Sequence, residues 1–406
     1  MADVPPAPAG LARRVMRGAA YLGAAQYAVI AIGVLKTPVL GRLVDPAIFG
    51  IFFLGNTWVS FLSLFRMELR EVVISDPAGS RARLNTQFAV EVATSLAGVV
   101  LALALFLAAP GIASPPVWQT IFTLMGVRVF SALTSTPLYI LHRDIRQEAI
   151  TRLTLIGAAA GAAAGIGVAF LGRPLLSLLL DAAIPVAVLG AGAWLAAGWR
   201  PTRAWDATVA RDSLSFGITL WTNGLLGKVT FELDDWLVGN LRGNKALGFY
   251  GKAYNLAKMP MDIFAGVISG IALSMYAQSF AAGYEVLERA YRLTTWLLTR
   301  IVAWSSVVVL AAAEEIVLIM LGPKWGAVPL LVRLMFLYVL GRPLFQNNAQ
   351  LLISIREEKL MRVSQLVQAI ILVIIGPPAV YFWGAQGASV AVSLMMLVGF
   401  VVSQAH

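Results

Sequence analysis

Long apolar stretches, each about the length of a helix that crosses a bilayer, follow one another along nearly the whole chain and are separated by short polar gaps. A hydrocarbon core of roughly 30 Å takes about 20 helical residues. That ruler predicts helices near 19–40, 47–65, 86–109, 117–140, 150–171 and 175–198, and a second set near 213–238, 247–275, 292–313, 326–353, 363–383 and 386–404. Lipid offers backbone N–H and C=O groups no hydrogen-bond partner, so each stretch reads as helix. The alternating strands of about ten residues that build a membrane barrel are missing from the pattern. The expected fold is an all-α membrane protein with about 12 transmembrane helices in two pseudo-symmetric six-helix bundles around a central cavity. The expected division is a tail over 1–18, a bundle over 19–198, a polar linker over 199–212 and a second bundle over 213–406.

Composition agrees with this map. The chain is 59% hydrophobic and 13% charged, with a mean hydropathy of +0.79. Soluble domains are about a quarter charged. The 31 Lys and Arg residues orient the map, because they gather in every second gap. Arg42, Arg173, Arg242, Lys245 and Lys324 fall in the gaps assigned outside, eight basic residues fall within helices, and the remaining eighteen fall in the gaps assigned inside. This bias sets an inside N-terminus. It also accounts for the net charge of +10, through topology and contact with anionic headgroups, without a nucleic-acid partner. The first apolar run is too long for a cleaved signal core and reads as an uncleaved helix.

Several chemistries are excluded. The chain has no cysteine, and its two histidines, His142 and His406, are far apart in sequence. Thiolate metal sites, disulfides and a thiol nucleophile are therefore ruled out, and a histidine metal site is poorly served. No phosphate-binding Gly-x-x-x-x-Gly-Lys-Ser/Thr loop occurs. The chain reads as a transporter rather than an enzyme, with no cofactor.

The two halves share an internal match. Gly41-Arg-Leu-Val-Asp-Pro-Ala-Ile-Phe-Gly50-Ile-Phe52 lies without gaps on Gly239-Asn-Leu-Arg-Gly-Asn-Lys-Ala-Leu-Gly248-Phe-Tyr250, at an offset of 198 residues. Both segments fall in the turn between the first two helices of a half. An even number of helices per half makes the repeats parallel.

Ionisable residues inside a span are expensive and mark function by default. The seventh helix has the densest set, with Lys228, Glu232 and Asp235 on one face and Asp234 about a third of a turn away. The 198-residue offset sets Lys36 of the first helix against Asp234, which predicts a contact between them that helps close the outer mouth. The eighth helix carries Tyr250, Tyr254, Lys258 and Asp262 at successive i+4 steps. Aromatic faces can stack on sugars and an ammonium can meet a diphosphate; an interfacial tyrosine belt is the alternative. Arg342, Gln346 and Gln350 share a face of the tenth helix beside Asn347 and Asn348, whose amides line a lumen or bridge helices. Arg128 lies near the centre of its helix. Gly157, Gly161 and Gly165 form a small-residue face that predicts close helix packing.

Three stretches resemble the polysaccharide transporter (Wzx/WzxC-type oligosaccharide flippase) branch of the multidrug/oligosaccharidyl-lipid/polysaccharide exporter superfamily. They are Gly41–Gly50, Asp234–Tyr250 continuing through Ala253-Tyr254 to Pro260, and Leu321-Gly-Pro-Lys-Trp325. Arg66-Met-Glu-Leu69 departs from the family's pattern, so no role is carried onto Glu68. Many members have fourteen helices, where this chain stops as the twelfth ends. The resemblance implies a flippase that moves polyprenyl-diphosphate-linked oligosaccharide across a bacterial inner membrane by alternating access. Arg128, Lys228, Tyr254, Lys258, Arg342 and Gln346 are then the candidate substrate-binding residues. Lys36, Glu232, Asp234, Asp235 and Asp262 are the candidates for a gate or for a coupling proton or sodium ion. Membrane lipids, a polysaccharide polymerase and other glycan-assembly proteins are the implied partners. A cation-coupled multidrug exporter, a lipid II flippase and a non-transporting scaffold of a glycan-assembly complex remain alternatives.

Overall fold

A computed structural model of the chain describes residues 11–67 and 81–404, the side chains at 11–20, 22, 65, 215–224, 260–271 and 358 excepted. Glu68 and the side chain of Asp262 lie outside the described residues. The regular elements described are all helical: α1 (Leu11–Leu43), α2 (Pro46–Leu62), α3 (Arg81–Ala108), α4 (Pro115–Arg143), α5 (Gln147–Phe170), α6 (Pro174–Ala197), α7 (Ala207–Arg242), α8 (Asn244–Ala282), α9 (Tyr284–Ala311), α10 (Ala313–Met320), α11 (Val328–Leu334), α12 (Phe336–Ser354) and α13 (Glu358–Gln404).

Among the described residues, seven helices are long and apolar enough to cross a membrane: the Gly23–Leu43 part of α1, then α3, α4, α5, α6, α9 and α13. The predicted tenth helix is a broken span, α11 and α12 meeting at 49°. The predicted eleventh and twelfth helices are the two arms of α13, which breaks at Gly384 (φ 61°, ψ −138°). Glycine takes that left-handed φ without a Cβ clash. The charge-bearing α7 and α8 run 36 and 39 residues, ample for a span. The chain is a multi-pass helical membrane protein.

Two compact units divide it. Unit 1 comprises Met1–Lys36 and Val59–Thr222; unit 2 comprises Thr37–Trp58 and Asn223–His406. The divisions fall inside α1, α2 and α7.

In unit 1, α5 lies close against α6 through the predicted glycine face. A Cβ at Gly157 would stand 3.0 Å from Pro185 Cα, and one at Gly165 would stand 3.1 Å from Asp181 Cβ. The Ser177 hydroxyl donates to the Gly165 carbonyl at 2.6 Å. The linker before α7 is strapped to the start of α3, where the Asn85 amide bonds Thr202 in both directions, at 2.5 and 3.1 Å. Asp206 then caps α7, accepting from the Thr208 hydroxyl at 2.8 Å and the Val209 N–H at 3.2 Å. The Thr208 hydroxyl bond, followed by the backbone bonds, holds the Asp206 carboxyl below its ordinary range.

In unit 2 the internal repeat becomes a physical joint. A Cβ on Gly50 would overlap the Asn244 carbonyl, and one on Gly248 would overlap the Pro46 carbonyl. Gly50 and Gly248 are equivalent at the 198-residue offset, and so are Pro46 and Asn244. The Phe53 ring fills the space beside Gly251, its own equivalent. The starts of α2 and α8 therefore cross about a local pseudo-twofold, backbone against backbone.

The third motif closes onto the same joint. Trp325 is fully buried and donates its indole N–H to the Gly41 carbonyl at 2.9 Å. Its ring sits edge-on to Phe49 and Phe249, at 5.5 and 5.9 Å. Lys324 donates to the carbonyls of Arg42 and Val44 at 2.9 and 2.7 Å, capping α1. Arg42 reaches the Ile319 carbonyl at 2.9 Å, and Arg242 the carbonyls of Val380, at 2.9 Å, and Tyr381. The last turn of a helix leaves carbonyls unpaired and carries partial negative charge. Three basic residues that depart from the inside bias thus have a local task.

Overpacking a tight core contact costs about 1–3 kcal/mol. Gly50→Ala and Gly248→Ala should each lower the thermal midpoint of the detergent-solubilised protein. Gly126→Ala, where a Cβ meets nothing within 4 Å, should leave it unchanged.

Candidate functional site: a charged and aromatic cluster in unit 2

α7 and α8 form a hairpin about Gly243 in unit 2, and α12 supplies the third wall of the cluster. Asp234 is 3% exposed and accepts from the Tyr250 hydroxyl at 2.5 Å through Oδ2. Its Oδ1 is buried and has no hydrogen-bond partner among the described residues. Asp235, half-buried, feels the like charges of Asp234 and Glu232 and the opposing charge of Lys258. Three carboxylates thus crowd little more than one helical turn.

One turn beyond Tyr250, Tyr254 packs at a ring distance of 6.4 Å, and its hydroxyl bonds that of Tyr338. Arg342 donates through Nη1 to the Tyr338 hydroxyl at 2.5 Å and to the Tyr254 hydroxyl at 3.4 Å. The guanidinium also lies over the Phe231 ring, 4.2 Å from its centroid. Two phenols and an aromatic face hold the fork in place inside a membrane-spanning unit.

The structure therefore brings together Asp234, Tyr254 and Arg342 from the predicted set, linked through Tyr250. It adds Tyr338 and Phe231. Tyr338 could have been found from its i−4 spacing to Arg342. Phe231 had no polar signal to mark it. Lys228, Glu232, Lys258 and Gln346 are half-buried on the same three helices. Asn347 and Asn348 bridge helices: Asn347 accepts from Tyr276 at 2.8 Å and donates to Thr295 at 3.1 Å, and Asn348 donates to the Ser403 carbonyl at 2.8 Å.

Arg128 and Lys36 belong to unit 1. Arg128 is half-buried on α4. Lys36 and Asp234, expected to meet, belong to different units, and each has a partner within its own. Lys36 pairs with both oxygens of Asp181, at 2.7 and 2.6 Å, while Asp234 takes its bond from Tyr250. The repeat offset names equivalent positions, but the partner of a buried charge is set by the helix packed beside it. For Lys36 that helix is α6, drawn in at the Gly165 contact. Arg300, another basic residue within a predicted span, stacks on Trp296 one turn away at 3.8 Å.

Fold and cluster together define a multi-pass α-helical membrane protein that carries polar and charged groups inside its spans. Residues 39–329, which include the whole joint, match the family described as polysaccharide biosynthesis protein, and the chain belongs to that family. It is 28% identical over 174 residues to the amylovoran biosynthesis protein AmsL of Erwinia amylovora, covering 42% of this chain and 43% of that one. It is 22% identical over 301 residues to the succinoglycan biosynthesis transport protein ExoT of Rhizobium meliloti, covering 72% and 59%. The chain thus spans less than two thirds of these relatives. In fold it is similar to the lipid II flippase MurJ in an inward closed conformation, with a TM-score of 0.73 at 13% identity over 93% of this chain and 85% of that one.

Removing one partner of a buried ion pair strands the other charge. Lys36 and Asp181 are 28% and 18% exposed at the side chain, so Asp181→Asn should cost roughly 1–3 kcal/mol, less than for a sealed pair. The combined Lys36→Met and Asp181→Leu variant should recover most of that loss in thermal unfolding. Additive losses would dissolve the pairing.

Proposed function

We propose that the chain is a flippase that carries polyprenyl-diphosphate-linked oligosaccharide from the inner to the outer leaflet of a bacterial inner membrane, its N-terminus cytoplasmic, by alternating access. Family membership supports glycan export. The observation that carries the reading is Arg342 in its aromatic setting. A planar guanidinium matches diphosphate oxygens with paired N–H donors. The partly buried Tyr254 ring beside it offers a face to a sugar.

Lys228, Lys258 and Arg128 supplement the positive charge, and Gln346 and Tyr254 offer hydrogen bonds to the glycan. The prenyl tail stays in lipid. Return of the empty carrier uses an ion gradient, with Glu232, Asp234 and Asp235 as the carboxylates that take a proton or sodium ion. Lys36 and Asp262 complete the gate and coupling set. A polymerase and other glycan-assembly proteins would take the product.

The experiment is restoration of surface polysaccharide in a flippase-deficient strain. A hydrogen bond to a charged group contributes about 1.5–3 kcal/mol, so Arg342→Ala should reduce export by roughly tenfold or more. Arg342→Lys, with its charge but no fork, should fall between. Full export by Arg342→Ala would favour a scaffold, and drug accumulation without glycan export would favour the multidrug reading. Replacing Glu232, Asp234 and Asp235 by their amides should abolish the dependence of transport on an imposed gradient. Unchanged dependence would refute this assignment of the carboxylates.

A further inference from the structure

Unit 1 holds a buried carboxylate that the reading above leaves unused. Glu91, on α3, is 1% exposed. Its Oε1 is 3.2 Å from Arg66 Nη2 and accepts from the Tyr139 hydroxyl at 3.1 Å, with Ser135 as a further hydrogen-bond partner. Arg66 is the charged group set against it. The residue sits in extended conformation just after the 3-10 turn Ser63–Phe65 rather than in a helix, and its Nη2 has a second acceptor, the Ser131 hydroxyl on α4, at 3.5 Å. The α7 side of α3 at this level is apolar, with Val90 packed on Ala210. One turn to either side of Glu91, on the same face, lie Gln87 and Ser95. Both are buried, and neither the Gln87 amide nor the Ser95 hydroxyl has a hydrogen-bond partner among the described residues.

We infer that Glu91 is a proton-binding site of unit 1, in which Arg66 and a proton compete for one buried carboxylate. A buried ion pair is lost at the cost of an uncompensated charge in a poorly solvated interior. A proton on Glu91 would compensate the charge that Arg66 leaves behind when it shifts toward Ser131. Proton uptake and the position of Arg66 are therefore one event. The spare polar groups of Gln87 and Ser95 stand where the protonated carboxyl, now a donor as well as an acceptor, can find a new partner. As a source of coupling the site rests on the carrier reading; as a proton site it is read without any substrate.

The test is infrared spectroscopy of the purified full chain in liposomes, titrated with pH in light and heavy water. The wild type should show a protonated-carboxyl band that shifts in heavy water, with one component absent from Glu91→Gln. That component should persist in the variant with amides at 232, 234 and 235, which separates it from the unit 2 carboxylates. Tyr139→Phe keeps Glu91 and removes one donor to its charged form, so it should shift the pH dependence of the same component. If Glu91→Gln folds and its spectrum titrates as the wild type does, the proposal falls. If that variant does not fold, an unshifted Tyr139→Phe titration overturns it equally. Gradient-driven transport then decides use: a proton stoichiometry unaltered in Glu91→Gln, with the band component lost, would remove the coupling role.

Discussion

A charge carried into hydrocarbon must be answered, and this requirement organises the molecule. A mid-span charge costs about 2.5–3.5 kcal/mol on insertion scales, and several charged groups here have a local partner. Asp181 grips Lys36 with both oxygens, and Glu91 holds Arg66. A phenol serves Asp234. Arg42, Arg242 and Lys324 are turned onto helix-end carbonyls. Rings and hydroxyls meet the Arg342 guanidinium.

Three short motifs scattered over nearly 300 residues of sequence meet at one joint in unit 2. Gly41 accepts from Trp325; Gly50 and Gly248 allow two helix starts to cross at backbone distance; Phe49 and Phe249 enclose the indole. The joint explains why residues 37–58 pack with unit 2 although a continuous helix joins them to unit 1. Close backbone contact and the aromatic enclosure outweigh chain continuity in deciding which residues move into one compact body.

Spans and repeat were legible in the sequence because lipid imposes length, apolarity and internal hydrogen bonding at once. The glycine face of α5 was legible for a similar reason, since small residues every fourth position have little other use in a span. Neighbours were harder. Periodicity tells which side chains share a face but not which helix lies opposite, so Lys36 was matched with its repeat equivalent instead of Asp181. One break was hidden: the bend between α11 and α12 follows from no proline or glycine at Met335; the break of α13 at Gly384 falls in the gap expected between 383 and 386. Tyr250, Tyr254 and Arg342 were found by spacing and charge, whereas Phe231 looks like any other apolar residue until the guanidinium is seen above it.

The crossing of α2 and α8 has an evolutionary corollary. On a pseudo-twofold axis a residue meets its own counterpart, so in a pair of chains made from one single-repeat gene one nucleotide change would enlarge both sides of the contact together. Glycine is the side chain least harmed by such doubling. The Gly50 and Gly248 pair meets that demand, and a synthetic gene encoding one repeat twice over could be used to ask whether a single module assembles as a symmetric pair.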